Sequence, residues 1–372
     1  MSAQISAVKC GSYDPDTVGR SVREALDLLG GIRFFVKPGS RVLVKPNLLM
    51  STPPEQAITT HPQVVRSVIR LLKDIGCRVV LGDGPSVWGK YIENVDKVYE
   101  ATGIKKVALE EGAELVNFDK RRMRDKFPLT VWLDECDCLV NLPKVKTHGL
   151  TLMTCAVKNL FGLVSGTYKT ELHKNYFKPS EFVKVLVDIY QEARPVLTIA
   201  DGVLAMEGDG PGTSGRPRKL GLLFAGSDCT ALDAVVAGVM GITPGKVLSI
   251  NEAVRRGLGE GDLGRIEIKG EDVFNLGIAP FALPQSSKAV QLPGVIETLA
   301  KSLVKYYPYS LPGKCVLCGH CMNICPEKCI NLGKRGPVFD YRKCIACFCC
   351  QESCPSAAIG LKKSFLAKVI GL

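Results

Sequence analysis

Two stretches near the end of the chain, "CVLCGHCMNICP" and "CIACFCCQESCP", restrict what the 372 residues can fold into more than any other feature. Both have the spacing C-x2-C-x2-C-x3-C-P, giving Cys315, Cys318, Cys321 and Cys325, then Cys344, Cys347, Cys350 and Cys354. Three closely spaced thiolates can wrap one corner of a cubane, and Pro326 and Pro355 then redirect the chain. This is the run expected of two [4Fe–4S] clusters, in which the fourth cysteine of each run ligates the other cluster. The expected ligand sets are therefore Cys315, Cys318, Cys321 and Cys354 for the first cluster, and Cys344, Cys347, Cys350 and Cys325 for the second. A disulfide framework does not suit a chain opening "MSAQISAVKC", which lacks a charged-then-apolar secretion pattern. Structural zinc uses paired C-x2-C knuckles rather than tandem four-cysteine runs ending in Pro.

Over roughly residues 312–362 the runs resemble bacterial-type two-cluster ferredoxins. Two positions depart from the usual pattern: Cys329 in "CPEKCI" and Cys349 inside the second run. Each spare thiol reads either as an exchangeable ligand or, more simply, as packing near the clusters. His320, between two ligands, reads as a hydrogen-bonding neighbour. Residues 301–372 carry eleven Lys/Arg against three Asp/Glu and hold ten of the 16 cysteines, so most of the formal charge of +11 sits around the expected clusters and offsets their negative charge. No aromatic–basic platform accompanies that charge, which argues against nucleic acid as a partner.

The remaining sequence changes character. A hydrophobic content of 46% in Leu- and Val-rich segments reads as globular. Short apolar runs, 41–45, 77–83, 137–143, 196–202 and 220–226, end in Gly, Pro, Asp or Asn. Between them lie helical patterns at 61–76, 180–193 and 228–241, the last two with Ser180 and Asp228 suited to N-caps. The expected fold is α/β: a mostly parallel, doubly wound sheet with helices on both faces, plus a small C-terminal α+β ferredoxin-like domain. The expected divisions are 1–280 for the α/β domain, 281–313 for a linker with one helix ("GVIETLAKSLVKYY"), 314–362 for the ferredoxin-like domain and 363–372 for a tail. No apolar run reaches membrane-spanning length, and the tail "SFLAKVIGL" is too short to anchor a chain alone, so the cytoplasm is the expected location.

In such sheets ligands bind beyond the carboxyl ends of the strands. There the sequence places Lys45 and Asn47, Asp83, the run "NLPKVKTHG" with Lys144, Lys146 and His148, and Asp201. Lys158 follows on a helical stretch, and Glu207 and Asp209 sit in the glycine-rich "DGVLAMEGDGPGTSG", which suits a metal-bridged or hydroxyl-rich ligand. Lys45, Lys144, Lys146 and Lys158 are candidates for holding an anion, with His148 and Lys144 as candidate catalytic groups; nearby lysines would keep His148 neutral. The plainer reading pairs Lys45 and Lys144 with Asp83 or Asp201 and makes His61 a helix cap. Cys155 reads as a lysine-activated thiol or as core; Cys136 and Cys138 read as packing. "KRRMRDK" (120–126) reads as a solvated loop. "GPSVWGKY" (84–91) only approximates a P-loop, since Tyr91 stands where Ser or Thr would hold Mg2+.

The motifs K-P-N at 45–47, T-T-H-P at 59–62, G-D at 82–83, N-L-P-K-x-K-T-H at 141–148, K-N-L-F-G at 158–162 and D-G-x5-G-x-G-P at 201–211 resemble those of the domain of unknown function 362 family, several of whose members carry a C-terminal ferredoxin-like module. That resemblance implies an iron–sulfur redox protein with a pocket and no named substrate. Three functions follow as expectations. The first is an iron–sulfur oxidoreductase passing single electrons to or from an anionic substrate or cofactor at the strand ends; the second is an electron-transfer adaptor docking a partner enzyme. The third is a cluster-based sensor. The expected partners are a ferredoxin, a flavodoxin or an oxidoreductase, and an additional flavin, nucleotide or metal ion stays open as a further cofactor.

Overall fold

The computed structural model describes residues 2–85, 94–166, 168–287 and 306–363. The first strands are β1 (Ala3–Lys9), β2 (Arg41–Pro46), β3 (Arg78–Gly82) and β4 (Glu114–Val116). A separate hairpin follows, β5 (Arg121–Arg124) and β6 (Phe127–Thr130). Then come β7 (Cys138–Leu142), β8 (Lys144–His148), β9 (Leu152–Thr154), β10 (Leu197–Gly208), β11 (Gly215–Gly226) and β12 (Ile266–Gly270). The large sheet has the order β12-β1-β11-β10-β7-β2-β3-β4, with β8 beside β10 and β9 beside β8.

Alternation along each strand feeds two cores. Val42 and Val44 enter the one packed under helices Pro15–Asp27 and Pro62–Asp74, while Leu43 enters the one under Pro179–Ala193 and Cys229–Val239. Burial of both faces explains why these strands read as unbroken apolar runs, and the doubly wound α/β class holds. Pairs β2–β3, β3–β4, β2–β7, β7–β10, β8–β10 and β1–β12 are parallel. The other half is antiparallel: β10 and β11, twelve residues each, form one long hairpin, and β1 runs against β11. The runs at 196–202 and 220–226 are thus only parts of longer strands.

Asp228 caps its helix by accepting from the amides of Thr230 and Ala231, as expected. Ser180 does not cap: Pro179 takes the first turn, where its missing N–H costs nothing, and Lys178 stands at the N-cap. "KRRMRDK" is not a loop but strand β5, whose Arg122 and Arg124 pair with Asp134.

The C-terminal part has β13 (Tyr306–Ser310) paired with β16 (Ile359–Lys363), and β14 (Ile330–Gly333) paired with β15 (Gly336–Phe339). Tyr306 and Tyr307 therefore belong to this unit rather than to a linker helix. The rest of that expected helix, residues 86–91 of the P-loop-like stretch and the tail from 364 lie outside the described residues. Among the described residues no helix is long and apolar enough to cross a membrane.

Candidate functional site

The carboxyl ends of β2 and β3, the end of β8 and the turn after β9 surround one cavity, with about 560 Å³ of open space including its mouth. Lys45, Asn47, Asp83, Lys146, His148 and Lys158 line it, joined by Lys169, His173 and Glu352. Lys45 and Asp83 are fully buried and paired at 2.7 Å, so part of the charge is structural. Asp83 also accepts from the amides of Leu48 (2.7 Å) and Gly84 (2.9 Å), which pins the two strand ends together. A side chain at Gly162 would run into this pair, which accounts for glycine there. Lys169 reaches across to the Gly84 carbonyl. Lys146 donates to the Ile58 carbonyl at 2.8 Å. Lys158 lies over the rings of Phe161 and Phe182 at 5.6 and 5.7 Å and makes no hydrogen bond among the described residues.

His148 is 1% exposed and its tautomer follows from its neighbours. The amides of Leu150 (3.0 Å) and Thr151 (3.4 Å) donate to Nδ1, so the neutral ring carries its proton on Nε2. Among the described residues that Nε2 has no hydrogen-bond partner; it faces Glu352 Oε1 at 3.5 Å, which has none either. Burial, reinforced by Lys158, His173 and Lys146, holds the His148 pKa well below the ordinary value. The neutral state matches the sequence expectation, though burial outweighs the lysines as its cause. Burial also lowers Lys146 to about 7, aided by Lys158 and Lys144, and Lys169 to about 8. It raises the Glu352 carboxyl against the pull of Lys158 and Lys146.

Several expected site residues lie elsewhere. Lys144 does not reach the cavity; its ammonium bonds Asp201 at 2.8 Å and the Tyr13 hydroxyl at 2.7 Å, with neither Lys144 nor Asp201 exposed. Tyr13 also donates to Asp201 and stacks on His61 at 3.6 Å, completing a satisfied network. His61 caps its helix through Nδ1, as the plainer reading had it. Glu207 holds Arg218 and the Ala282 amide, and Asp209 holds Gln285, so both serve their own chain instead of a ligand. Cys155 is buried beside Asp233 with its thiol pushed up, which makes it core and no activated nucleophile. Lys169, His173 and Glu352 were not anticipated: the first two sit on the polar stretch "YKTELHKN" with no motif, and Glu352 lies inside the second cysteine run.

Two more cavities belong to the C-terminal unit. Cys315, Cys318, Cys321 and Cys354 line one of about 300 Å³, and Cys325, Cys344, Cys347 and Cys350 line one of about 320 Å³. Cys329 also reaches the second, 3.4 Å from Cys325, whereas Cys349 is buried outside both. The two halves repeat each other in backbone: Leu317 matches Ala346, Gly319 matches Phe348 and Lys328 matches Ala357, all with positive φ. The amides of Cys329 and Ala358 donate to Cys325 and Cys354 at 3.4 and 3.2 Å, again at matching steps. Sulfurs arranged around a volume with amides aimed at them fit a cubane. Among the described residues no three His, Cys, Asp or Glu side chains gather to hold a single metal ion.

The two parts meet at Glu352. It stands two residues from both Cys350 and Cys354, yet lines the cavity of the α/β domain. The 208–215 turn holds it there: Gly212 packs on the Glu352 carbonyl and the Thr213 hydroxyl donates to the Cys354 carbonyl.

A thylakoid-associated protein of Synechocystis sp. is 35% identical over 265 residues, spanning 69% of this chain and 81% of that protein. The lactate racemase apoprotein of Thermoanaerobacterium thermosaccharolyticum aligns at a TM-score of 0.39 and 14% identity, over 64% of this chain and 57% of that one, a likeness from which nothing is drawn. Residues 42–238 match the domain of unknown function DUF362, a span containing β2 and β3, the His148 strand and most of the cavity's lysines. The chain belongs to the DUF362 family.

Proposed function

We propose that the chain is an iron–sulfur oxidoreductase whose α/β cavity holds the substrate and whose C-terminal unit is a two-cluster ferredoxin-like domain. The observation that carries this reading is Glu352, which lines the cavity from a position between Cys350 and Cys354. Cys315, Cys318, Cys321 and Cys354 would hold one cluster, and Cys344, Cys347, Cys350 and Cys325 the other. When bound, 4Fe–4S clusters supply one-electron transfer.

The side chains do the rest. His148, locked neutral with its proton on Nε2, is built to donate a hydrogen bond to a substrate oxygen as negative charge develops there. It is not an imidazolium acid. Lys146, lowered to about 7, is the group poised to give or take a proton near neutral pH. Lys158, its pKa lowered by burial against the pull of Glu352, would add positive charge when protonated.

A redox partner fits the first cysteine cavity, where Val316 (65% exposed) and Leu317 stand out among the exposed Lys314, Lys334 and Arg335. Exposed apolar side chains on a unit with exposed basic residues would suit an acidic ferredoxin or flavodoxin. The same surface supports the second reading, an electron-transfer adaptor without catalysis of its own. We place the chain in the cytoplasm, with contact at a membrane surface as the alternative that the relative's name raises.

Anaerobically purified protein should carry about eight iron atoms per chain with matching sulfide, and native mass spectrometry followed by denaturation should release a small molecule. Iron-free protein would overturn the redox reading. Iron with no releasable or bindable small molecule would favour the adaptor.

A further inference from the structure

Charge in the cavity does not balance. Among the described residues, Lys45, Lys146, Lys158 and Lys169 line it against the carboxyls of Asp83 and Glu352. His148 and His173 contribute nothing, since burial keeps both neutral, His173 down to about 3. With both carboxyls ionised and all four lysines protonated, two ammonium groups face the space without a counter-charge; that full count holds below pH 7, where Lys146 is charged. Asp83 is committed to Lys45, and Lys146 and Lys169 find only the carbonyls of Ile58 and Gly84. Lys158 makes no hydrogen bond among the described residues; it lies over two aromatic faces and is drawn only through space by the Glu352 carboxyl. Desolvated ammonium groups without counter-ions are costly, so a fold that gathers them is built around negative charge from outside.

The polar wall tells the same story. Among the described residues, its donors without a hydrogen bond include the Lys158 ammonium and the His148 Nε2–H, the latter 1% exposed with only Glu352 Oε1 facing it at 3.5 Å. At about 560 Å³ including its mouth, and about 30 Å³ for each water-sized group, the open space accommodates at most about twenty heavy atoms. That suits a small metabolite and is tight for a flavin nucleotide.

We propose that this cavity binds a small dianion, with its two charges set against Lys146, Lys158 and Lys169 and one of its oxygens on His148 Nε2–H. A single negative charge would leave one ammonium uncompensated in a dry site; two bring the wall to neutrality. The assignment rests on the reading of this cavity as the substrate site, and narrows that substrate to a phosphate-monoester-like or dicarboxylate molecule.

Calorimetric titration of the full, anaerobically purified chain with sulfate, malonate and acetate at fixed ionic strength tests it. Sulfate or malonate should bind at least about tenfold more tightly than acetate, the difference expected of one additional charge-assisted contact. Lys158→Met should weaken dianion binding by about tenfold or more while leaving iron content and visible bands unchanged. Should that variant fail to fold, Lys146→Gln should show the same loss. Tighter sulfate supports both charges on one head group, and tighter malonate supports two carboxylates. Acetate binding as well as the dianions, no anion binding at all, or an unchanged affinity in a folded Lys158→Met would each overturn the proposal. Iron-free protein that still prefers dianions would sink the redox reading and leave this one standing; iron-loaded protein without the preference would do the reverse.

Discussion

Lys144 and Lys146 stand two residues apart on β8 and do different work. Lys144 is enclosed with Asp201 and Tyr13, all its bonds made inside the protein, whereas Lys146 opens onto the cavity and keeps only one carbonyl. Removing one partner of a buried pair strands the other's charge, so Lys144→Met should lower stability by about 3–5 kcal/mol. Denaturant unfolding would show this; at pH 6, where Lys146 is charged with or without Lys144, dianion affinity should be nearly unchanged in the protein that remains folded. Lys146 predicts a pH dependence instead. Its pKa is lowered to about 7, so it is charged below that pH and neutral above it. Sulfate keeps its double charge throughout, hence its affinity should fall as pH rises from 6 to 8, by about tenfold if one contact is lost. Titration calorimetry at the two pH values checks the sign; an affinity that rises with pH would show that Lys146 does not face the anion.

Among the elements, legibility in the sequence followed the range of the forces involved. The cysteine runs were readable because each is a local device: spacing, a following proline and a positive-φ turn at Leu317 or Ala346 aim three sulfurs at one volume. The helix Pro62–Asp74 was readable from its apolar period, and its cap at His61 from the residue before Pro62. The β10–β11 hairpin was not, because Gly202 and the polar "GRPRK" of 215–219 cut its length down to two short apolar runs and nothing local reports that the strands pair antiparallel. For the cavity, Lys45, Asp83, Lys146 and His148 could be placed because strand ends converge in this fold class. Lys169, His173 and Glu352 arrive from a polar helix and from another domain, and only the tertiary fold brings them in. Lys144 misled because a lysine at a strand end looks the same in sequence whether its ammonium meets a ligand or, as here, an aspartate 57 residues away.

At the scale of the whole molecule, the question is whether the C-terminal cysteine unit and the cavity work as one unit. Among the described residues, the contacts that join them include the 208–215 turn, Glu352 reaching the cavity and His148, and a looser pair, Lys174 with Glu327 at 3.7 Å. Gly212 is the tightest point, since any Cβ there would strike the Glu352 carbonyl. Gly212→Val should therefore shift the backbone at Glu352 away from the turn while substituting neither a cysteine nor a cavity lysine. The expected outcome is unchanged iron content and an unchanged visible spectrum, together with dianion affinity within about threefold of the original chain, because the lysines and His148 stay in place and loss of one opposing carboxylate offsets the looser closure. What should change is communication. In the original chain, a dianion added to the reduced protein should shift the cluster signals in electron paramagnetic resonance, since it places two charges beside the segment that carries Cys350 and Cys354. In Gly212→Val that shift should vanish. A shift that persists in the variant would mean that the coupling runs through some other contact between the domains, and that Glu352 only lines the cavity.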